Sequence, residues 1–312
     1  MRERVLITGG SGFIGAALAR QLITAGHDVH LLLRPGYCRW RLAGLEGAFT
    51  PHRADLHEPA AVRRAIARCR PEVIYHLAAH GTLPNNPDRA TVLATSIAGT
   101  ANLLEALADT DYQALVHAGS SSEYGHKDRP MRPTDRLEPR TDYAIAKAAA
   151  THLVLAAAYR GRPACVVRIF SAYGPWEDPA RLASSVMGCC RRGERPKVTG
   201  GNEPRDFIHV DDVAELLRLA AHQPRARGQV LHAGTGQVQT VRDMVEAIVA
   251  CSGGPPAEYG AQPPRPDEPA RWQASIERTT SLTGWQPRLG LRDGVAQMWD
   301  WFCATAAGRD AA

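Results

Sequence analysis

Lysine is scarce in this chain. Of 37 basic residues only Lys127, Lys147 and Lys197 are lysines, and the arginines that make up the rest are spread without a dense run. With a formal net charge of +5, that pattern offers no concentrated basic patch, so nucleic acid is not an expected partner. The seven cysteines show no CxxC and no Cys/His ligand spacing, and the one close pair, Cys189-Cys190, is adjacent. Neither tetrahedral zinc nor an ordinary disulfide uses adjacent cysteines, so reduced thiols and no bound metal are expected. No apolar run approaches the roughly 20 residues of a membrane helix, and the opening Met-Arg-Glu-Arg lacks a signal-peptide pattern. A cytoplasmic protein with no membrane partner is the expectation. What the chain does have is 312 residues, 44% of them hydrophobic and 22% charged, enough for one large core or two modest ones.

Apolar runs alternate with helical patterns. Residues 4–8, 29–33, 73–77, 114–117 and 165–170 read as strands, and 13–24, 60–69, 92–108 and 143–159 as helices. A further, third strand is expected ahead of Asp55. Such alternation implies parallel βαβ units and hence an α/β fold, a doubly wound parallel Rossmann sheet. After residue 170 Pro and Gly become frequent and the apolar runs shorten. The expected division is a dinucleotide-binding domain over 1–170, with a late strand near 229–233, and a smaller, loop-rich substrate lobe over 171–312. The helix over 143–159 is apolar most of the way round, which calls for cover on more than one side. A homodimer through a four-helix seam shared with 92–108 would supply it.

Thr8-Gly9-Gly10-Ser11-Gly12-Phe13-Ile14-Gly15 stands between the first strand and the first helix. Glycines there let the backbone turn tightly and approach a pyrophosphate, whose charge is met by N–H groups at the helix start, Phe13 and Ile14 included. NAD-type sites place an acidic residue at the end of the second strand, for the ribose 2′-hydroxyl. This chain has Leu33-Arg34-Pro35, and an arginine suits a 2′-phosphate, so Arg34 favours NADP(H), with NAD(H) the alternative. Asp55, followed by Leu56, could accept from an adenine amino group or cap a helix.

Tyr143 and Lys147, in Tyr-Ala-Ile-Ala-Lys, share one helix face. An ammonium there stabilises phenolate, lowers the phenol pKa and makes it a proton donor and acceptor near neutral pH. A lysine in a chain that otherwise uses arginine points to a place where only a compact cation fits. Gly119-Ser120-Ser121-Ser122-Glu123-Tyr124-Gly125 follows the strand over 114–117 and can set a serine hydroxyl beside that tyrosine.

With these motifs the chain resembles the extended short-chain dehydrogenase/reductase family of NAD(P)-dependent nucleotide-sugar epimerases, dehydratases and reductases. The likeness covers nearly the whole chain and includes His76-Leu77-Ala78-Ala79, RIFSAYGP (168–175), GNEPRDFIHVDD (201–212) and Gly284-Trp285-Gln286-Pro287. It implies Ser120, Tyr143 and Lys147 as catalytic residues, with Tyr143 the acid/base and Lys147 binding the nicotinamide ribose. The dinucleotide would lie on Gly9, Gly12, Gly15, Leu77, Ala78 and Ala79. A nucleotide-sugar substrate would meet Ser121, Ser122, Ser171, Arg205 and Arg265, with Arg168 also near its diphosphate.

The likeness leaves the reaction open among three. Family 4,6-dehydratases carry an Asp-Glu pair directly after the catalytic Ser/Thr; here those places hold Ser121 and Ser122, with Glu123 one step late. The 4-ketoreductases and 4-epimerases need only Ser, Tyr and Lys. With Arg34 read as a 2′-phosphate ligand, the reading is an NDP-4-keto-6-deoxysugar 4-ketoreductase, with an NDP-sugar 4-epimerase that keeps its NAD as the alternative. A non-catalytic dinucleotide-binding protein would be expected to lose Tyr143 or Lys147.

Overall fold

The computed structural model describes residues 2–81, 88–264 and 268–305. Its frame is a parallel sheet of seven strands. In chain order they are β1 (Arg4–Thr8), β2 (Asp28–Leu33), β3 (Thr50–Arg53), β4 (Val73–His76), β5 (Ala114–Ser120), β6 (Ala164–Ile169) and the strand Val230–Ala233. In space they run Val230–Ala233, β6, β5, β4, β1, β2, β3, so the chain reverses direction between β1 and β4. The helices between them are α1 (Phe13–Thr24), α2 (Pro59–Cys69), α3 (Arg89–Leu93), α4 (Gly99–Ala106) and α5 (Asp142–Tyr159). Rossmann topology follows from this order, because each crossover packs one helix on one face of a right-twisted sheet.

Burial explains why some strands were plain in the sequence and one was not. Val5, Leu6 and Ile7 of β1 are wholly buried, since a central parallel strand is covered on both faces and reads as a continuous apolar run. β3, at the sheet edge, is Thr-Pro-His-Arg with three of its four residues exposed, and it carries no apolar signal at all. In α2 the buried positions Ala61, Val62, Ala65, Ile66 and Cys69 form one stripe. Pro59 starts that helix, and Arg70, in the left-handed conformation at φ 47°, stops it.

Two features depart from the sequence reading. The helix over 92–108 is interrupted: one π-helical turn, Ala94–Ala98, separates α3 from α4, and such a bulge re-aims the residues within it. The main sheet also draws on the chain beyond residue 170. The late strand expected near 229–233 is there, Val230–Ala233 pairing with β6; the departure is helix Val210–His222, which packs on the sheet face that carries α1. A separate core over the later chain joins Met187, Phe207, Met244, Ile248, Met298 and Phe302. Along α5, Ala144, Ala146, Ala150, Val154 and Ala157 are buried, while Ile145 and Tyr159 are exposed. Among the described residues no helix is long and apolar enough to cross a membrane, and all seven cysteines are free thiols.

Candidate active site

The glycine turn closes on itself more tightly than any side chain permits. Gly9 sits at φ +71°, and a Cβ there would lie 2.7 Å from the Ala78 nitrogen; a Cβ on Gly15 would lie 2.2 Å from the Gly9 carbonyl oxygen. The Gly12 N–H bonds that same carbonyl at 2.9 Å. Helix α1 then starts with no side-chain cap and no acidic residue in its first turn, which leaves its positive end for an outside anion. Thr8 ties the turn to the neighbouring strand: its hydroxyl bonds His76 Nδ1 at 2.7 Å and accepts from the Ala78 N–H at 3.3 Å. A dinucleotide pyrophosphate fits this cradle, whose walls are backbone from Gly9 to Gly15 and from Leu77 to Ala78.

The other expected cofactor residues take differing places. Arg34 is exposed, directly after β2 at the carboxyl edge of the sheet. Asp55 does not cap α2, whose N-cap is Glu58. Its carboxylate instead accepts from the His57 N–H at 2.9 Å, closing the turn before the helix. Leu56 is buried, and its carbonyl accepts from Asn102 at 2.8 Å.

Ser120 ends β5, and α5 brings Tyr143 and Lys147 to the same edge. Thr141 caps α5 by accepting from the Ala144 N–H at 3.1 Å, which fixes the helix start two residues before the tyrosine. The Ser120 hydroxyl is near enough to the Tyr143 phenol to favour its ionised form, and its Oγ lies 2.8 Å from that of Ser122. The Tyr143 phenol is pushed up from its ordinary value by burial, with the Ser120 hydroxyl the first influence opposing this. That corrects the expectation that Lys147 lowers it. The ammonium is itself buried, and loss of water pulls Lys147 down to about 8, with Glu123 opposing.

Glu123 is the residue that sequence reading undervalued. It is wholly buried. One carboxylate oxygen accepts from the Ser120 N–H at 2.8 Å and from the Thr151 hydroxyl at 3.1 Å. The other accepts from Arg168 Nε at 2.8 Å. Arg168 also donates to the Tyr124 hydroxyl at 2.6 Å, and Tyr124 lies 2.6 Å from His232 Nε2. His232 Nδ1 is 3.0 Å from the Ser275 carbonyl oxygen, so Nδ1 carries the proton and Nε2 accepts from Tyr124. Arg168 therefore stays in the protein interior and does not reach a diphosphate.

Of the expected substrate residues, Ser122 sits at the Ser120 hydroxyl, but Ser121 is turned inward and accepts from Trp272 Nε1 at 3.0 Å. Ser171 is half-buried in a short strand beside Phe207. Arg205 is half-buried and pairs with Glu268 at one side of a groove of about 440 Å³ lined by Asn202, Glu203, Pro204, Gln262 and Glu268. Buried Asp206 sets that segment by accepting from the backbone of Thr235, Gly236 and Ala274. Arg265 lies outside the described residues.

Two histidines in this region give a pH dependence. Burial pushes His76 and His232 each down to about 3. Below about 6.5 the unfolded chain binds protons that these folded imidazoles refuse, so stability falls with pH through that window. From pH 6.5 to 5 each should cost about 2 kcal/mol. Urea unfolding at pH 7 and pH 5 checks this, with an unchanged midpoint the contrary result.

A glycine-rich turn at the carboxyl edge of a Rossmann sheet, with a Ser–Tyr–Lys set beside it, defines a dinucleotide-binding protein equipped for proton transfer. The model of the NAD dependent epimerase/dehydratase family matches residues 5–234, and the chain belongs to that family. It is 31% identical to a UDP-glucose 4-epimerase of Mycolicibacterium smegmatis over 96% of this chain and 98% of that one. A dTDP-glucose 4,6-dehydratase of Escherichia coli is 26% identical over 96% of this chain and 92% of its own. Among solved structures, a Thermus thermophilus UDP-glucose 4-epimerase in complex with NAD superposes with a TM-score of 0.86 at 27% identity, covering 97% of this chain and 99% of the other. The protein is thus an NAD-dependent nucleotide-sugar enzyme of the extended short-chain dehydrogenase/reductase type.

Proposed function

We propose that this protein is a nucleotide-sugar 4-epimerase that keeps its NAD bound and acts on a UDP-hexose. The observation that carries the reading is the Ser120 hydroxyl set against the Tyr143 phenol beside buried Lys147, in a chain that matches a UDP-glucose 4-epimerase along almost its whole length. Bound NAD supplies a hydride acceptor and donor. Tyr143 takes the proton of the sugar 4-hydroxyl as C4 is oxidised and gives it back when C4 is reduced from the other face. Ser120 orients that oxygen, and Lys147, one helical turn from Tyr143, holds the nicotinamide ribose. Arg205, held by Glu268 at the rim of the groove, is the fork for the substrate diphosphate.

Elimination of water is disfavoured by the turn itself. Ser121 and Ser122 stand where a dehydratase needs an acid and a base, and the nearest carboxylate, Glu123, is committed to Arg168. The 4-ketoreductase reading, and with it the preference for NADP(H) drawn from Arg34, gains nothing from the relatives, one of which was solved with NAD.

The test is to denature freshly purified protein and identify any dinucleotide released. Near-stoichiometric NAD is expected. A site that is empty on purification and binds NADPH in preference to NADH would favour the reductase instead.

A further inference from the structure

On the edge strands of the sheet and at the end of α2, three metal-ligating side chains meet. His30 in β2, His52 in β3 and Cys69, the last residue of α2, each place one donor atom within 4.8 Å of the other two. Strand register explains the meeting. Leu32 is paired with His52, so His52 and Leu32 point to the same face of the sheet, and His30, two residues before Leu32, points there too. That face is the one α2 covers, and Leu32 and Cys69 belong to the same core. The three ligands come from three separate elements, which is why no ligand spacing exists in the sequence.

The details go beyond chance proximity. His30 Nδ1 and His52 Nε2 are 2.8 Å apart, with the rings stacked at 5.1 Å between centroids. His30 is 9% exposed, and among the described residues its Nε2 has no hydrogen-bond partner. The Asp28 carboxylate lies 3.3 Å from the same nitrogen. Cys69 is wholly buried, and His52 is half-buried on the outermost strand, which gives an entry path from solvent. β3 is also the strand most in need of an anchor, since Thr-Pro-His-Arg brings almost nothing apolar to the core.

We propose that His30, His52 and Cys69 form a zinc site that clips edge strand β3 to β2 and to the end of α2. Two imidazoles and a thiolate are the donors of a borderline-soft cation, whereas magnesium and calcium take oxygen. Three protein ligands leave a fourth, tetrahedral position for water on the half-buried side of His52. Asp28 is the carboxylate that orients His30, a partner that metal-bound imidazoles commonly have. On binding, Zn²⁺ replaces the thiol proton of Cys69, which passes to solvent, and each imidazole keeps its single proton on the nitrogen away from the metal.

The test uses tag-free protein stripped with a chelator and then titrated with Co²⁺ as a spectroscopic probe and with Zn²⁺ in competition. One ion per chain is expected, with a thiolate-to-cobalt absorption band that Cys69→Ser abolishes. His52→Gln, at a half-buried edge position where folding is safe, should weaken Zn²⁺ binding at least about 10-fold. Zn²⁺ at about 100 times its Kd should raise the Tm of the unsubstituted protein by roughly 5 °C and leave Cys69→Ser unmoved. The absence of a thiolate band, or equal Zn²⁺ affinity in the unsubstituted protein and both variants, overturns the site.

Discussion

Tyr143→Phe is expected to lower epimerisation by roughly 10²- to 10⁴-fold, the range for loss of a positioned proton donor and acceptor, while the bound dinucleotide is retained. The substitution removes one oxygen and leaves the ring. The cradle for the dinucleotide is backbone: the Gly9–Gly15 turn, the uncapped start of α1 and the Ala78 N–H held by Thr8. None of these depends on the phenol. Turnover measured beside dinucleotide content separates the two roles, and a Tyr143→Phe variant as active as the unsubstituted protein would remove Tyr143 from the chemistry. Ser120→Ala should show a smaller loss in the same assay, since Ser122 keeps a hydroxyl 2.8 Å from the position of the missing one.

The second large effect is on stability. Arg168→Met leaves the Glu123 carboxylate buried without its cation, and breaking a buried pair from one side costs about 3–5 kcal/mol, or about 5–8 °C in Tm. Adding Glu123→Gln to that variant should recover part of the loss, because a neutral amide still accepts from the Ser120 N–H and no longer needs the guanidinium. The pair also bears on the site electrostatically. Lys147 is held near 8, and Glu123 is the group that opposes a further fall. In Glu123→Gln/Arg168→Met the alkaline limb of the pH–rate profile should therefore move to lower pH. Thermal unfolding and that profile measured together decide the matter. Unchanged Tm in Arg168→Met would contradict the buried pair, and an unmoved alkaline limb would contradict its influence on Lys147.

The contrast between those two predictions marks what sequence can show. The glycine turn and the Tyr143–Lys147 pair are local, set by residues within one loop or one helical turn, and spacing alone carries their meaning. Arg168 reaches Glu123 across 45 positions and His232 reaches Tyr124 across 108. An arginine in a chain full of arginines gives no sign that it is the buried one. Strand β3 escaped the apolar pattern because edge position relieves it of the need for one. The serine turn shows the opposite error: Ser121 and Ser122 are equally polar on paper, yet the backbone turns one inward to Trp272 and the other toward Ser120. Arg34 lies at the position where the sequence places it, after β2. Location alone did not decide between a 2′-phosphate ligand and a surface arginine.

The most direct measurement follows hydrogen at C4. UDP-glucose carrying deuterium at C4 is incubated with the purified protein and no added dinucleotide, and the UDP-galactose formed is analysed by mass spectrometry. Retention of the deuterium at C4 is the expected result, because the same hydride leaves the carbon and returns to it within one closed site. No UDP-galactose without added dinucleotide, or UDP-galactose formed only when free NAD is supplied to take the C4 deuteride and free NADH to return hydride, with the C4 deuterium lost to that pool, would contradict an epimerase that recycles its own NAD.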